Sequence, residues 1–159
     1  MVVIEQVASP SKEALAGKER DTLRLTWEGR RWGRRRLKTT AGREVALALP
    51  TGTVLSVGAI LWVESDWYLQ VEGAAEPVIA VLPRSSPEAL RVAFEVGNRH
   101  FSVALDGEAL LVPDDTAMVQ LLDRLGTRWE RRAAVYTPMG FGHGHDHDHD
   151  HPHGHSHGR

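Results

Sequence analysis

The residues richest in coordinating chemistry lie in the stretch GFGHGHDHDHDHPHGHSHGR (140–159). His143, His145, His147, His149, His151, His153, His155 and His157 take alternate positions, and Asp146, Asp148 and Asp150 stand between them. Neutral imidazole is a good ligand for Ni²⁺, Cu²⁺, Zn²⁺ and Co²⁺. H-x-H spacing on a chain with no fixed backbone lets several rings converge on one ion, while the aspartates add oxygen ligands and offset its charge. A purification tag is the bland alternative, but tags are usually uninterrupted histidine runs. This one is interleaved with Asp, Pro, Gly and Ser and follows directly on the last apolar segment, so the tail predicts binding or buffering of a divalent metal.

Only one of the 9 histidines lies outside the tail: His100, in the phrase GNRH. A lone histidine is most often a partly buried side chain with a satisfied hydrogen bond. One imidazole cannot hold a transition metal alone. A two-fold axis changes the count, since one His100 from each of two chains makes a two-imidazole site. His143 or His145 would then be the tail residues best placed to complete it, if the last strand ends nearby.

The rest of the composition narrows the chemistry. The chain has 159 residues and no cysteine, which excludes disulfides and thiolate metal sites. A formal net charge of -2 gives no global attraction to nucleic acid or membrane. There is no apolar run of membrane-spanning length, and the start MVVIEQVASPSKEALAGKERD has no signal-peptide pattern, so a cytoplasmic protein is expected. No phosphate-binding glycine loop and no nucleophile–base pair stands out, and an enzyme is not expected. The segment RRWGRRRLK (30–38) gathers Arg30, Arg31, Arg34, Arg35, Arg36 and Lys38 around Trp32. It reads first as a solvated strand-and-turn face, next as a surface for an acidic protein, and least as a nucleic-acid site.

The expected fold is α+β, in two halves and a tail. Residues 1–75 read as a small all-β domain. TLRLTW (22–27) places Leu23, Leu25 and Trp27 on one face, and REVALALP (43–50) does the same with Val45, Leu47 and Leu49. ESD is a hairpin turn between ILWV and WYLQV. Residues 76–140 change character. EPVIAVLP is a buried strand. SSPEALRVAFEVGNRH is a helix capped at Ser85 or Ser86, with Leu90, Ala93, Phe94 and Gly97 as its buried face and Gly97-Asn98 as its end. FSVAL and EALLV form a hairpin about Asp106-Gly107. PDDTAMVQLLDRLG is a helix with Met118, Leu121, Leu122 and Leu125 inward and Gly126 as its stop, and RWERRAAVYTP is a last strand. The order βαββαβ is the ferredoxin-like one. Residues 141–159 have a composition that cannot form a core and are expected to be disordered. The five tryptophans are expected to be mostly core.

Taken together, GRRRLKTTAGREVALALPTGTVLSVGAIL in the first half, then AFEVGNRH, LLVPDD, LLDRLG and the histidine-rich end, resemble the urease accessory protein E family of nickel metallochaperones. The resemblance covers roughly residues 20–140 and the tail. It implies a β-rich partner-binding domain, a ferredoxin-like metal-binding and dimerisation domain, and a homodimer in which His100 binds nickel at the subunit interface. It also implies delivery of Ni²⁺ to the urease apoprotein within an assembly that includes an accessory GTPase; Zn²⁺ or Cu²⁺ would bind the same ligands. Some relatives carry further histidines just past the hairpin. Here LLVPDD stands there, so a secondary site would be absent or carboxylate-based. Two other readings stay open: a general divalent-metal reservoir or nickel supplier to another enzyme, and an acidic-surface or nucleic-acid binding module working through residues 30–38.

Overall fold

A computed structural model describes residues 1–140. The first half contains β1 (Val2–Ile4), α1 (Lys12–Leu15), β2 (Glu19–Leu25), α2 (Trp27–Arg31), β3 (Arg34–Lys38), β4 (Glu44–Ala48), β5 (Ile60–Val63) and β6 (Trp67–Gly73). They build two three-stranded sheets, ordered β1-β4-β3 and β2-β6-β5. The alternation read from sequence supplies the core between them. Leu23 and Leu25, Val45, Leu47 and Leu49, and Leu61, Leu69 and Val71 all point inward and pack with Ile4 and Leu55. Each such side chain contributes roughly 1.5–3 kcal/mol by leaving water.

This β domain also carries two short helices, and Trp27 lies on one of them rather than on the strand with Leu23 and Leu25. The strand stops at Leu25 because Thr26 caps a helix, its hydroxyl accepting from Gly29 N–H at 3.1 Å. Ser11 caps α1 in the same way. Helices of four and five residues are too short to carry a 3.6-residue period, so only their caps announce them. The tryptophans are also less buried than expected: Trp27 is buried, Trp62, Trp67 and Trp129 are half-buried, and Trp32 is 59% exposed.

In the second half, β7 (Ala75–Val81), α3 (Ser86–Asn98), β8 (Ala104–Asp106), β9 (Ala109–Pro113), α4 (Thr116–Leu125) and β10 (Trp129–Val135) follow the ferredoxin-like order. The antiparallel sheet runs β10-β7-β9-β8. Asp115 caps α4 through a 2.8 Å bond from Ala117 N–H, and Gly126 ends it in the left-handed region (φ 68°). The β8–β9 turn sits one residue later than expected. Asp106 pairs with Ala109, leaving Gly107 (φ 60°) and Glu108 as the loop, with glycine first as in a type II′ turn. Ile79, Val81, Leu110 and Val112 meet Val92 and Val96 of α3 and Met118, Leu121 and Leu122 of α4 on one face of the sheet. Val78, Ala80 and Leu111 on the other face pack with Trp27 and Tyr136. Residues 78–81 of β7 form a continuous apolar run because both faces of the strand are covered there.

The two halves are joined by polar contacts around α2. Trp27 N–H donates to Glu76 at 2.8 Å, and Ala74 N–H donates to the Leu25 carbonyl at 2.8 Å. Arg30, 1% exposed, donates to the Tyr136 carbonyl and, at 3.0 Å, to the Thr137 hydroxyl, with its guanidinium 5.3 Å from the Trp27 ring centre. Gly73 is required at this seam, since a Cβ there would lie 2.4 Å from a Val135 methyl.

A second polar node holds the first half together. The buried Asp21 carboxylate accepts from Thr39 at 2.5 Å, Arg43 at 2.8 Å, Thr22 N–H at 2.8 Å and Ala41 N–H at 3.1 Å, tying β2 to the β3–β4 turn. Burial alone would raise its pKa. The bonds from Thr39, Arg43, Ala41 and Thr22 outweigh burial and hold it below the ordinary value. A depressed folded pKa stabilises fully above the unfolded value of about 3.9, and that contribution is lost as pH falls through the folded pKa. Asp21→Ala strands several buried donors, so urea denaturation at pH 7 should register a loss of about 3 kcal/mol or more. The variant should also lose less stability than the parent on acidification below about pH 4.

Candidate metal site at the end of helix α3

Helix α3 carries two apolar stripes. Ala89, Val92 and Val96 pack into the core. Leu90, Ala93, Phe94 and Gly97, expected to be the buried face, are not: Leu90 is 72% exposed, Phe94 68% exposed, Gly97 exposed and Ala93 half-buried. The spacing was sound but selected the wrong stripe. The signal lay in their sum, because a helix packed on one side needs only one apolar stripe.

The helix also ends later than GN suggests. Asn98 is its last residue and Arg99 its C-cap. The left-handed residue that follows is His100, with φ 62°, the one non-glycine residue with positive φ among the described residues. His100 N–H bonds the Gly97 carbonyl at 3.0 Å and Phe101 N–H bonds the Val96 carbonyl at 3.3 Å. This is the Schellman arrangement, completed by Phe101 packing into the cluster that holds Val96. Glycine is the usual occupant of that position, and a non-glycine residue there costs of order 1 kcal/mol. The imidazole is exposed and makes no hydrogen bond among the described residues, so His100 is not a satisfied core histidine. Its imidazole is held at a fixed backbone position on the same helix as the exposed Leu90 and Phe94.

The root of the tail lies next to this loop. Tyr136 and Ser102 hydroxyls are 2.7 Å apart, and Met139 N–H donates to the Val103 carbonyl at 2.8 Å. Desolvation raises the Tyr136 pKa, keeping the phenol protonated, while Ser102 acts in the opposite sense. Past the hairpin, Asp115 is committed to its helix cap and Asp114 to Arg131 at 3.1 Å. No group of three or more potential metal-ligating side chains occurs among the described residues. His143, His145, His147, His149, His151, His153, His155 and His157 lie outside them.

The basic segment is divided by the fold. Arg30 is buried in the joint between the halves, and Arg35 donates to the Gly29 carbonyl at 2.9 Å and stacks 5.0 Å from the Trp32 ring centre. Arg34, Arg36 and Lys38 alternate outward along β3. No helix of the described residues is long and apolar enough to cross a membrane.

A β-rich half with two mixed sheets is joined to a ferredoxin-like half bearing an exposed histidine. Comparison with known proteins finds the same two-part division. Residues 3–74 match the UreE urease accessory protein N-terminal domain and residues 76–158 the UreE urease accessory protein C-terminal domain. The chain therefore belongs to the UreE urease accessory protein family, whose name marks an accessory protein and not an enzyme. It is 41% identical over 119 residues to the urease accessory protein UreE of Synechococcus sp. (strain JA-3-3Ab), covering 74% of this chain and 80% of that one. Against UreE of Ectopseudomonas mendocina (strain ymp) it is 37% identical over 139 residues, covering 87% and 81%. Against UreE of Deinococcus radiodurans it is 43% identical over 107 residues, covering 67% and 69%.

The left-handed backbone of His100 leads to an unusual expectation. His100→Gly should raise stability by about 0.5–1 kcal/mol in urea denaturation, because strain is removed and no packing is lost. A histidine serving the fold would give the opposite sign.

Proposed function

We propose that the chain is a cytoplasmic, homodimeric nickel metallochaperone that delivers Ni²⁺ to the urease apoprotein during active-site assembly, together with the urease accessory GTPase. Residues 1–75 engage partner proteins, residues 76–140 dimerise and hold the fixed metal ligand, and residues 141–159 gather ions. One observation carries this reading: an exposed imidazole with no partner among the described residues is fixed at the end of a helix whose outward face bears Leu90 and Phe94. Two large apolar side chains one turn apart favour burial against a matching surface, and a second copy of α3 supplies one under two-fold symmetry. Packing of α3 on its mate would bring two His100 side chains to one ion.

Tail histidines can reach that ion. Val103, to which Met139 is bonded, lies within about 11 Å of His100 along the chain. The four residues from Met139 to His143 span about 10–12 Å. His143 and His145 are thus the tail ligands nearest the shared site, and His147 to His157 supply further ions. His and Asp ligands also accept Zn²⁺ and Cu²⁺.

A general metal reservoir needs only the tail, and His100 separates the two readings. His100→Ala removes two ligands from one ion at once. Calorimetric titration with Ni²⁺ should lose the tightest step, weakening it at least ~10-fold, while total nickel bound falls only slightly. Urease activation in cells should weaken in parallel. A variant that keeps its tightest step and full activation would leave the tail alone as the functional element.

The dimer has its own check. Leu90→Glu with Phe94→Glu places four carboxylates across the proposed seam. Light scattering should give a monomer with unchanged far-ultraviolet dichroism, and a persisting dimer would move the interface elsewhere.

A further inference from the structure

Strand β3 is the edge of its sheet. At its two ends Leu49 N–H bonds the Gly33 carbonyl and Thr39 N–H bonds the Arg43 carbonyl, each at 2.9 Å. That alternation turns the backbone groups of Gly33, Arg35, Leu37 and Thr39 toward β4, and those of Arg34, Arg36 and Lys38 toward the free edge. The same three residues carry the exposed side chains of the strand. None of these side chains makes a hydrogen bond or ion pair among the described residues. Arg35 and Leu37, on the opposite face, line a groove of about 380 Å³ with Leu25, the exposed Trp32 and the charged Arg24 and Glu28. The groove lies where β3 and β2 part, beyond the bond from Thr40 N–H to the Thr22 carbonyl.

We propose that the free edge of β3 accepts an extended acidic segment of a partner protein. The segment would add to the β1-β4-β3 sheet as a fourth strand, with its carboxylates opposite Arg34, Arg36 and Lys38. Basic residues commonly guard an edge strand against self-association, and here they do so, because two copies of β3 would set like charges face to face. The same charges select an acidic strand. Side chains of the incoming segment alternate, so carboxylates at every second position meet the basic row, and the residues between them turn to the groove beside Trp32 and Leu37. The recognised pattern is therefore acidic–apolar–acidic–apolar–acidic, with main-chain bonds supplying affinity and the side-chain alternation supplying specificity.

This deepens the assignment of residues 1–75 to partner binding, and nickel titration of the same variant keeps the two apart: its nickel steps should match those of the parent. The probe is a labelled peptide with the core Glu-Val-Glu-Val-Glu, followed by fluorescence polarisation on the full chain at low salt. Binding should weaken at least ~10-fold for Arg34→Glu with Arg36→Glu, and for a peptide with Gln in place of Glu. Two further peptides carry N-methyl groups on one or the other alternate set of residues. One should lose at least ~10-fold and the other should bind like the parent, because a strand pairs along one edge. Equal binding by both methylated peptides reduces the contact to charge alone and overturns strand addition. Tighter binding of a single-stranded RNA oligonucleotide at the same salt overturns the acidic-peptide assignment. Competition by a peptide of residues 143–157 stronger than that of the unlabelled probe would give the edge to the chain's own tail.

Discussion

The buried guanidinium of Arg30 is the contact on which the arrangement of the molecule depends. A charge inside protein is tolerated only with partners, and this one finds the Tyr136 carbonyl, the Thr137 hydroxyl and the Trp27 ring. Burial lowers its pKa and the Glu76 carboxylate raises it in part, so the group stays charged. Its Nε finds no partner among the described residues, which adds to the cost of keeping it there. The gain is positional. Arg30 fixes α2 against residues 136–137; Tyr136 in turn meets Ser102, and Met139 N–H bonds the Val103 carbonyl, in the loop after His100. The β-rich half, the tail root and the His100 loop are thereby held as neighbours, although Arg30 and Tyr136 are 106 residues apart in sequence.

The two stripes of α3 divide the labour within one helix. Ala89, Val92 and Val96 bury their apolar surface in the core, while Leu90 and Phe94 stay exposed. The core stripe anchors the helix, and the Schellman closure at Phe101 anchors its end, so His100 inherits a fixed position from packing it does not join. In the proposed dimer the outer stripe would carry that precision across the two-fold axis.

Period-2 alternation in the first half, a serine cap at the start of α3, and the inward stripe of α4 were all legible in the sequence, because local chemistry and tertiary packing agree there. The misses have a common cause. Nothing local separates Leu90 from Val92, since both are apolar residues on a helix and only the direction of the sheet decides between them. Arg30 is equally hidden in RRWGRRR, because its burial comes from a carbonyl in the last segment. The late end of α3 was obscured by Gly97-Asn98, which is a good stop signal. The chain ran past it because Phe101, not an earlier residue, reaches the core. The family resemblance proved sound because it rested on motif order along the whole chain and not on any one of these local readings.

The geometry at His100 also bears on how a carrier lets go. A site built wholly from rigid ligands binds tightly and releases slowly, whereas one built wholly from a redundant tail has no defined geometry to hand over. Here a single imidazole is held in a left-handed conformation that an alternative backbone would relieve. The remaining ligands of the proposed site would come from His143 to His157. In the proposed carrier, acceptance of the metal by a better-organised site would then require only stepwise exchange of ligands from residues 143–157, with the two His100 imidazoles leaving last.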